Sequence, residues 1–364
     1  MTDTVNPGMD ADIFDQFLEQ LERYVRERLL PAEKQVIADD RIPDEIITEM
    51  KDMGLFGLTV PEEYGGAGLG LTEAALMMQT VTRTGAGYSG ASAIHLNIFG
   101  PKPLEKFGNP ELKQESLPKI ISGEEKMCFA VTEPNSGLDT SSLETKAERT
   151  NNGYVINGRK IWTTGAQRAD KILIIARTTP KDQCSKPHLG LSLFYTDLNR
   201  DRIEANPIPK MGRKAVECNT LFIDNLEVPK EHLIGEEGAG FKYLLQGLNP
   251  ERVLFAVESI GLGFAALERA ARYANERVVF GRPIGQNQGI QHPLAKSWAE
   301  LSAAELLAYK AAGLYDKGEE CGAEANASKY LGTEAGFRAC ETAVLTHGGM
   351  GYAKEYHVER LMRE

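Results

Sequence analysis

The sequence predicts an α+β fold in which a domain of β-strands lies between two helical domains. Three observations predict it: helical periodicity over 12–122, strand-like alternation over 125–235, and long alanine-rich helical patterns after residue 240. Helices, then strands, then helices indicate separate domains rather than a doubly wound sheet. We therefore place an N-terminal helical domain at 1–124, a middle antiparallel β domain at 125–237 and a C-terminal helical bundle at 238–364.

The first domain is predicted from amphipathic helical patterns. Apolar residues from Phe14 to Leu29 recur at helical spacing, and Pro31 is expected to end this helix. Two more patterns cover 42–53 and 71–81. The following segment 85–90 matches the G-x-G-x-x-G fingerprint, but it follows a helix rather than a strand. We interpret it as a loop between helices.

The middle domain is predicted from segments with strand-like alternation. These segments are 154–162, 171–177, 191–196 and 220–224. Gly and Pro turns separate them, which indicates a compact antiparallel sheet or a small barrel. Asn157-Gly158 is a strong local turn signal, and it predicts a tight hairpin between 154–156 and 160–162.

The last domain is predicted from long amphipathic helices. Their patterns cover 241–248, 253–277, 292–312 and 323–346. Between the first two, Asn249 suits an N-cap and Pro250 suits the first helical position. The carboxylate of Glu251 would then lie in a first turn, where the helix dipole favours an anion.

Composition and charge exclude several classes of function. The 364 residues are 42% hydrophobic and carry a net charge of −11, which fits a soluble globular protein and argues against nucleic acid as a partner. Five cysteines lack C-x-x-C spacing and six histidines lack metal-binding spacing, so we expect reduced thiols and no metal. An acidic N-terminus without a signal-peptide pattern and short apolar runs predict a cytoplasmic protein without stable membrane insertion.

Two segments contain the residues that indicate a ligand-binding site. A short apolar strand, 127–131, leads into the polar turn 132–139, whose backbone N–H groups are free to face an anionic or carbonyl-bearing ligand. About thirty residues later, Trp162 is followed by Thr163 and Thr164, an aromatic ring and two hydroxyls that could flank a flat polar ring.

Together these segments resemble the flavin-binding strands of the acyl-CoA dehydrogenase family. The matching motifs are Thr-Glu-Pro-x-x-Gly-x-Asp from Thr132 and Asn-Gly-x-Lys-x-Trp-x-Thr from Asn157. The order of the three domains is also that of the family, so the resemblance covers nearly the whole chain. It implies FAD as cofactor, an acyl-CoA substrate, electron transfer to an electron-transferring flavoprotein, and a homotetramer built as a dimer of dimers.

The resemblance also assigns residues to the cofactor. In the middle domain they are Phe129, Val131, Thr132, Gly137, Leu138, Trp162, Thr163 and Thr164. In the last domain they are Arg277, Phe280, Asn287, Gln288, Gly348 and Gly349. The second group reaches a neighbouring subunit in the family, so the cofactor site is expected to be shared between subunits.

Acyl-CoA desaturation needs a carboxylate that removes the α proton. One family position for it, a Tyr-Glu-Gly-Thr motif, does not occur before the chain ends at Glu364, and we expect the last part of the usual third domain to be absent. The segment ending in Glu251-Arg252 resembles the alternative position in isovaleryl- and long-chain-type members. Glu251 and Arg252 are thus the predicted catalytic residues, although first-turn glutamates often only stabilise a helix and Arg252 also fits a solvated surface residue.

Ser136, Leu138, Asn249 and Arg252 are the predicted substrate contacts. Leu138 replaces the family's usual Ser or Thr, and Asn249 replaces a common Asp. In the last domain, Leu345 replaces a usual Gln, so these three changes are expected to weaken cofactor or CoA binding.

Three functions remain open from the sequence. The first is an acyl-CoA dehydrogenase, the second a same-fold flavin oxidase or monooxygenase, and the third a non-catalytic flavoprotein or helical scaffold. Ala91, His95 and Phe99 are candidates for shaping the acyl tunnel by their position alone.

Overall fold

The computed structural model describes residues 11–364. Its domains follow the predicted order: helical, β-sheet and helical. The N-terminal helices are α1 (Ala11–Tyr24), α2 (Leu30–Asp39), α3 (Asp44–Asp52), α4 (Leu71–Val81), α5 (Gly87–Phe99), α6 (Lys102–Phe107) and α7 (Pro110–Ile121). Their buried apolar faces form one core with the C-terminal helices, so the two helical domains pack directly against each other.

The prediction that Pro31 ends the first helix is wrong. A π-helical turn, Val25–Leu29, joins α1 to α2, and the chain stays helical to Asp39. In a regular α-helix the Pro31 ring would clash with the carbonyl four residues earlier. The wider π turn lies at this point, and such turns are a recognised way of absorbing an interruption in a helix.

The prediction of a loop at 85–90 is also wrong. A π turn, Thr82–Ala86, leads directly into α5, and the axis kinks where Gly85 has φ 117° and Gly87 has φ 62°. Both values lie in the left-handed region that favours glycine. A Cβ on Gly85 would also lie 2.7 Å from the Arg269 guanidinium. The glycines therefore form a helix kink rather than a phosphate-binding turn.

The middle domain is an eight-stranded sheet. Its strands are β1 (Met127–Ala130), β2 (Lys146–Arg149), β3 (Gly153–Thr164), β4 (Lys171–Arg177), β5 (Leu191–Asp197), β6 (Ile203–Pro207), β7 (Cys218–Pro229) and β8 (Leu233–Ile234). They follow the order β6-β7-β3-β2-β4-β5-β8, with β1 pairing to β4. Most pairs are antiparallel, but β4 pairs in parallel with β1 and β2, so the sheet is mixed and the purely antiparallel prediction is wrong.

The predicted hairpin at Asn157-Gly158 does not exist. β3 runs through both residues, pairs with β2 on one side and β7 on the other, and shifts register between Ile156 and Gly158. A Cβ on Gly158 would lie 2.5 Å from the Thr145 hydroxyl, so glycine permits a close approach inside a bulged strand. Pairing on both edges overrides the local turn preference.

The C-terminal domain holds four helices and a short hairpin. They are α8 (Gly240–Glu276), β9 (Val278–Val279), β10 (Arg282–Pro283), α9 (Gln288–Asp316), α10 (Gly322–His347) and α11 (Val358–Arg363). Helix α8 packs against α4 and α5 as well as α9 and α10, which makes it the central helix of the molecule. No helix in residues 11–364 is long and apolar enough to span a membrane.

The prediction that Pro250 opens a helix is wrong, because it lies inside α8. A proline there leaves the carbonyl of Gln246 without its helical N–H donor. The Tyr315 hydroxyl donates to that carbonyl at 3.5 Å. Asn249 is therefore not an N-cap, and Glu251 does not lie in a first turn.

Candidate active site

The two segments that carry the flavin motifs lie side by side. The Ile161 backbone N–H donates to the Thr132 carbonyl at 2.9 Å. The Lys160 ammonium donates to the Val131 carbonyl and to Glu133 Oε1, both at 2.9 Å. The Asn-Gly-x-Lys segment of β3 therefore holds the turn that follows β1.

Glu133 fixes the inside of this turn. Its carboxylate also accepts the backbone N–H groups of Glu144 at 2.6 Å and Thr145 at 3.0 Å. Burial lowers the pKa of Lys160 to about 8, although the neighbouring Glu133 opposes this shift. Burial alone would raise the pKa of Glu133, but Lys160 and the hydrogen bonds hold it below its ordinary value. Lys160 and Glu133 thus form a buried, hydrogen-bonded ion pair.

Beside the turn lies a surface suited to a flat ring. Trp162 is 55% exposed and has φ 62°, at a register shift that turns its ring out of the sheet. Phe129, Thr132 and Thr164 are half-buried. Within residues 11–364 the Thr132 hydroxyl makes no hydrogen bond, whereas the Thr164 hydroxyl lies 3.4 Å from the Cys218 thiol. Thr163 is fully buried, and its hydroxyl is also unpaired. The exposed Trp162 ring beside the half-buried hydroxyls of Thr132 and Thr164 fits an isoalloxazine ring with its polar edge.

The turn also places the predicted substrate contacts. Ser136 is buried and donates its hydroxyl to the Asp139 carbonyl, so it is engaged within the turn. Leu138 is fully exposed at the tip, and Gly137 beside it is exposed. Backbone N–H groups at this tip remain the polar groups that a ligand would meet, since Leu138 offers no hydroxyl.

The predicted cofactor residues of the last domain lie apart from this turn. Arg277 and Phe280 belong to the exposed β9–β10 hairpin, and Phe280 is fully exposed with φ 51°. Asn287 accepts from Arg282 at 2.7 Å, Gln288 begins α9, and Gly348 and Gly349 follow α10, with the last three exposed. No hydrogen bond in the described chain joins this group to the turn after β1.

Glu251 lies half-buried on α8. Burial raises the pKa of its carboxyl, while the electrostatic influence of His95, Arg252 and Lys329 opposes this shift. Glu251 lies in the interior of α8, so the dipole at a helix start does not act on its carboxylate. Burial is the main influence on its pKa. Arg252 donates to Asn249 Oδ1 at 2.8 Å, so both are half-buried neighbours and Arg252 is not a free surface side chain.

A buried polar layer between α5 and α8 contains Glu258, which sequence reasoning missed. His95 Nδ1 lies 2.5 Å from Glu258 Oε1, and Glu258 is fully buried. Glu258 follows Glu251 by seven residues, so both lie on one face of α8. That spacing was the available signal, because an acidic residue on an otherwise apolar helix face is unusual.

Aromatic contacts connect this layer to the flavin motif. The His95 ring lies 5.1 Å from the Phe99 ring, and the Phe99 ring lies 5.4 Å from that of Phe129, measured between centroids. Phe129 is a predicted cofactor residue on β1. The proposed base region and the motif turn therefore belong to one contiguous part of the molecule.

A cavity of about 330 Å³ lies between the N-terminal helices and the sheet domain. Ile47, Leu96, Met127 and Val216 line its apolar part, and Thr164 of the ring-facing surface lies on its wall. Among the described residues, no group of three or more His, Cys, Asp or Glu could hold a metal ion.

Three family models match the chain in the order of its domains. They describe the N-terminal domain of acyl-CoA dehydrogenases over 14–124, the middle domain over 128–226 and the C-terminal domain over 238–364. The three models together span most of the sequence.

Similar curated proteins come from several bacteria. The chain is 37% identical to an acyl-CoA dehydrogenase of Bacillus subtilis, over 94% of this chain and 89% of the relative. It is 33% identical to the 3-(aryl)acrylate reductase of Clostridium sporogenes, with the same coverage. It is also 33% identical to the CarC subunit of the caffeyl-CoA reductase–Etf complex of Acetobacterium woodii, over 96% of this chain and 92% of CarC.

Solved structures share the whole architecture. Butyryl-CoA dehydrogenase from Megasphaera elsdenii superposes with a TM-score of 0.91 at 29% identity, covering 98% of this chain and 94% of that one. The prolyl acyl carrier protein oxidase AnaB gives a TM-score of 0.92 at 26% identity, covering 98% and 93%. The chain belongs to the acyl-CoA dehydrogenase family of oxidoreductases.

Proposed function

We propose that the protein is an FAD-dependent dehydrogenase that oxidises an acyl-CoA thioester to the trans-2-enoyl-CoA. Glu251 removes the proton from the α carbon, and the electrons pass to an electron-transferring flavoprotein. The observation that carries this proposal is the half-buried Glu251 carboxylate, which lies in the same part of the molecule as the motif turn. The Acetobacterium relative, a subunit of an Etf complex, supports this choice of electron acceptor.

Burial gives Glu251 the character that the proton transfer needs. A carboxylate with a raised pKa is a stronger base than one in water, and a general base works best when its pKa approaches the operating pH. When bound, the flavin would accept the hydride that leaves the β carbon. Asn249, held by Arg252, is a candidate contact for the CoA chain.

Binding of FAD is proposed to use both groups of predicted residues. Thr132, Trp162 and Thr164 hold the ring, with Phe129, Val131, Thr163, Gly137 and Leu138 around it. Arg277, Phe280, Asn287, Gln288, Gly348 and Gly349 serve the dinucleotide of a neighbouring copy. Arg277 suits a phosphate because its guanidinium makes paired, charge-assisted hydrogen bonds. All of these residues except the half-buried Asn287 are exposed in a single chain, which supports a site shared with another copy within the proposed homotetramer.

A flavin oxidase is the second candidate. It is favoured by the similarity to the oxidase AnaB and by the 55% exposure of Trp162 at the ring-facing surface. Two relatives are named as reductases, so the direction of the reaction is also part of the test.

The test is anaerobic addition of acyl-CoAs of different length and branching to the purified flavoprotein. Bleaching of the flavin by at least one acyl-CoA supports dehydrogenation, and a colourless or unresponsive protein contradicts it. Admitting oxygen afterwards separates the candidates. Rapid return of the colour with hydrogen peroxide indicates an oxidase, whereas slow return in air but rapid return with an electron-transferring flavoprotein indicates a dehydrogenase.

A further inference from the structure

Arg213 extends from the sheet domain into the helical layers and has no part in the proposed reaction. It lies in the loop 208–217 before β7 and is half-buried. Its Nε–H donates to the Ser92 hydroxyl of α5 at 2.9 Å. Its guanidinium carbon lies 5.7 Å from the centroid of the Tyr88 ring and 5.5 Å from that of Phe255, on α8. Contacts from two helices therefore hold this cation in place.

The guanidinium of Arg213 keeps unused hydrogen-bond donors. Within residues 11–364, its two NH2 groups make no hydrogen bond, no carboxylate forms an ion pair with it, and neither nitrogen is completely buried. Aromatic faces attract a cation, but they do not replace the acceptors that its N–H groups lose with water. A group with two anionic oxygens would supply those acceptors in the fork geometry that arginine binds best.

The loop holds Arg213 in a fixed position. Arg213 has φ 55°, a left-handed value that is uncommon for residues other than glycine. The Lys210 ammonium closes the loop by donating to the Val216 carbonyl at 2.7 Å. Arg363 of α11 donates to the Met211 carbonyl at 2.9 Å. A cation on such a loop is preorganised, which reduces the entropy lost when a ligand binds.

The neighbours of Arg213 connect it to both parts of the proposed active site. Phe255 follows Glu251 by four residues, so one helical turn of about 6 Å separates them along the same face of α8. In addition, Ser92 lies on the wall of the cavity of about 330 Å³, as does Thr164 of the ring-facing surface. Open space therefore adjoins the side chain to which Arg213 donates.

We propose that Arg213 binds a carboxylate on the substrate, at the end of a short acyl chain distant from the thioester. The preferred substrates are then the CoA thioesters of dicarboxylic acids. The inference rests on the proposed function for the identity of the thioester, whereas the anion site rests on the contacts of Arg213. A phosphate of CoA offers the same oxygen chemistry, so the experiment separates these two sources.

The test is calorimetric binding of CoA thioethers to the oxidised holoprotein. Thioethers lack the carbonyl that acidifies the α proton, so they bind without reducing the flavin. Two analogues of equal chain length are compared, one ending in a methyl group and one in a carboxylate. Wild type should bind the carboxylate analogue more tightly, and Arg213→Met should weaken its binding about 10- to 100-fold, the range for a charge-assisted hydrogen bond.

Binding of the methyl analogue should change little in Arg213→Met, which shows that the variant is folded. Arg213→Lys should recover part of the affinity, because it keeps the charge and loses the fork. Lys214→Met is the matched control from the same loop, since the Lys214 ammonium lies 3.5 Å from Asp40 and already has a partner. It should leave both affinities unchanged.

Equal affinity of wild type for the two analogues, or an equal loss of both in Arg213→Met, would overturn the inference. The same comparison with pantetheine thioethers, which lack the CoA phosphates, should give the same selectivity. A loss in Arg213→Met that occurs only with CoA compounds would assign Arg213 to a phosphate and overturn the acyl carboxylate. If no acyl-CoA reduces the flavin but the selectivity depends on Arg213, the proposed function fails and the anion site stands. If an acyl-CoA reduces the flavin and the selectivity is absent, this inference alone fails.

Discussion

Lys160 and Glu133 are the residues on which the geometry of the motif turn most depends. The Lys160 ammonium donates hydrogen bonds to the Val131 carbonyl and to Glu133. The Glu133 carboxylate accepts hydrogen bonds from two backbone N–H groups of the following segment. Both partners are buried, so each depends on the other for its charge. The Lys and Glu of the two motifs thus stabilise the turn itself, whereas Thr132 and Thr164 are the residues expected to make polar contacts with a ligand.

Replacing Lys160 by Met should destabilise the protein by about 3–5 kcal/mol, because it leaves the Glu133 charge buried and unpaired. Chemical denaturation of the holoprotein measures this difference. The double variant Lys160→Met/Glu133→Gln should recover part of the loss. Lys230→Met is the control, because the exposed Lys230–Glu231 pair contributes about 0–1 kcal/mol. Equal losses for both lysines would contradict the account.

Leu138→Ser should restore the hydroxyl that the family usually has at this position. Leu138 is fully exposed, so folding stability should change little, whereas one added hydrogen bond of about 1 kcal/mol would tighten FAD binding roughly fivefold. Fluorescence titration of the apoprotein with FAD measures the affinity. If Leu138→Ser and Leu138→Ala bind FAD equally well, the hydroxyl is not missing from this site.

Glu251→Gln should be more stable than the wild type at neutral pH. Burial raises the pKa of Glu251 in the folded chain, so the folded state holds its proton more tightly than the unfolded state does. Stability therefore falls as pH rises from the ordinary glutamate pKa through the raised value. Thermal melts across this range should show the advantage of the variant at neutral pH and its disappearance in acid. A constant difference at all pH values would contradict a buried, ionised Glu251.

At the scale of whole elements, local sequence signals predicted the structure only where packing agreed with them. The predicted limits of α4 and β4 are confirmed, although neither element buries only one face: β4 is buried at every residue, and α4 is buried at every residue except Leu76 and Thr80. Pro31, Pro250 and Asn157-Gly158 were misread, because a π turn, the central position of α8 and pairing on both edges of β3 override the local preference. The only sequence signal for Glu258 was its seven-residue spacing from Glu251, because its contact with His95 depends on the packing of α5 against α8.

The bulge in β3 gives an element-scale prediction. Gly158→Ala should cost about 1–3 kcal/mol, because its Cβ would meet Thr145 at 2.5 Å inside a sheet that pairs on both edges. Gly313→Ala in α9 is the matched control, since nothing lies within 4 Å of its Cβ and alanine favours a helix by up to about 1 kcal/mol. Chemical denaturation should therefore show opposite signs. A neutral Gly158→Ala would show that the register of β3 is wrong, and a destabilised Gly313→Ala would show that its Cβ does not lie in open space.

At the scale of the whole molecule, the outer faces of α9 and α10 carry large exposed apolar side chains. They are Trp298, Leu306, Tyr330, Phe337 and Leu345. Clustered apolar surface of this kind usually marks an interface between protein chains. The exposed cofactor residues of the same domain fit this interpretation, because a second copy would bring them to another chain's ring-binding surface.

Leu306→Glu should therefore reduce the size of the assembly, because it places a charge where a partner chain is expected. Light scattering after size-exclusion chromatography measures the mass, and flavin absorbance of the same peak measures cofactor retention; both should fall. Ile13→Glu is the control, an exposed apolar residue on α1. An unchanged mass for Leu306→Glu would place the interface elsewhere, and equal effects of both variants would indicate general misfolding.

Glu251 is the residue proposed to remove the substrate proton. This role is tested by the rate of anaerobic flavin reduction by the best acyl-CoA, compared between wild type, Glu251→Gln and the exposed control Glu268→Gln. Loss of a general base predicts that Glu251→Gln reduces its flavin about 100- to 10,000-fold more slowly, with substrate still bound and the control unaffected. A Glu251→Gln variant that bleaches at the wild-type rate would contradict the claim.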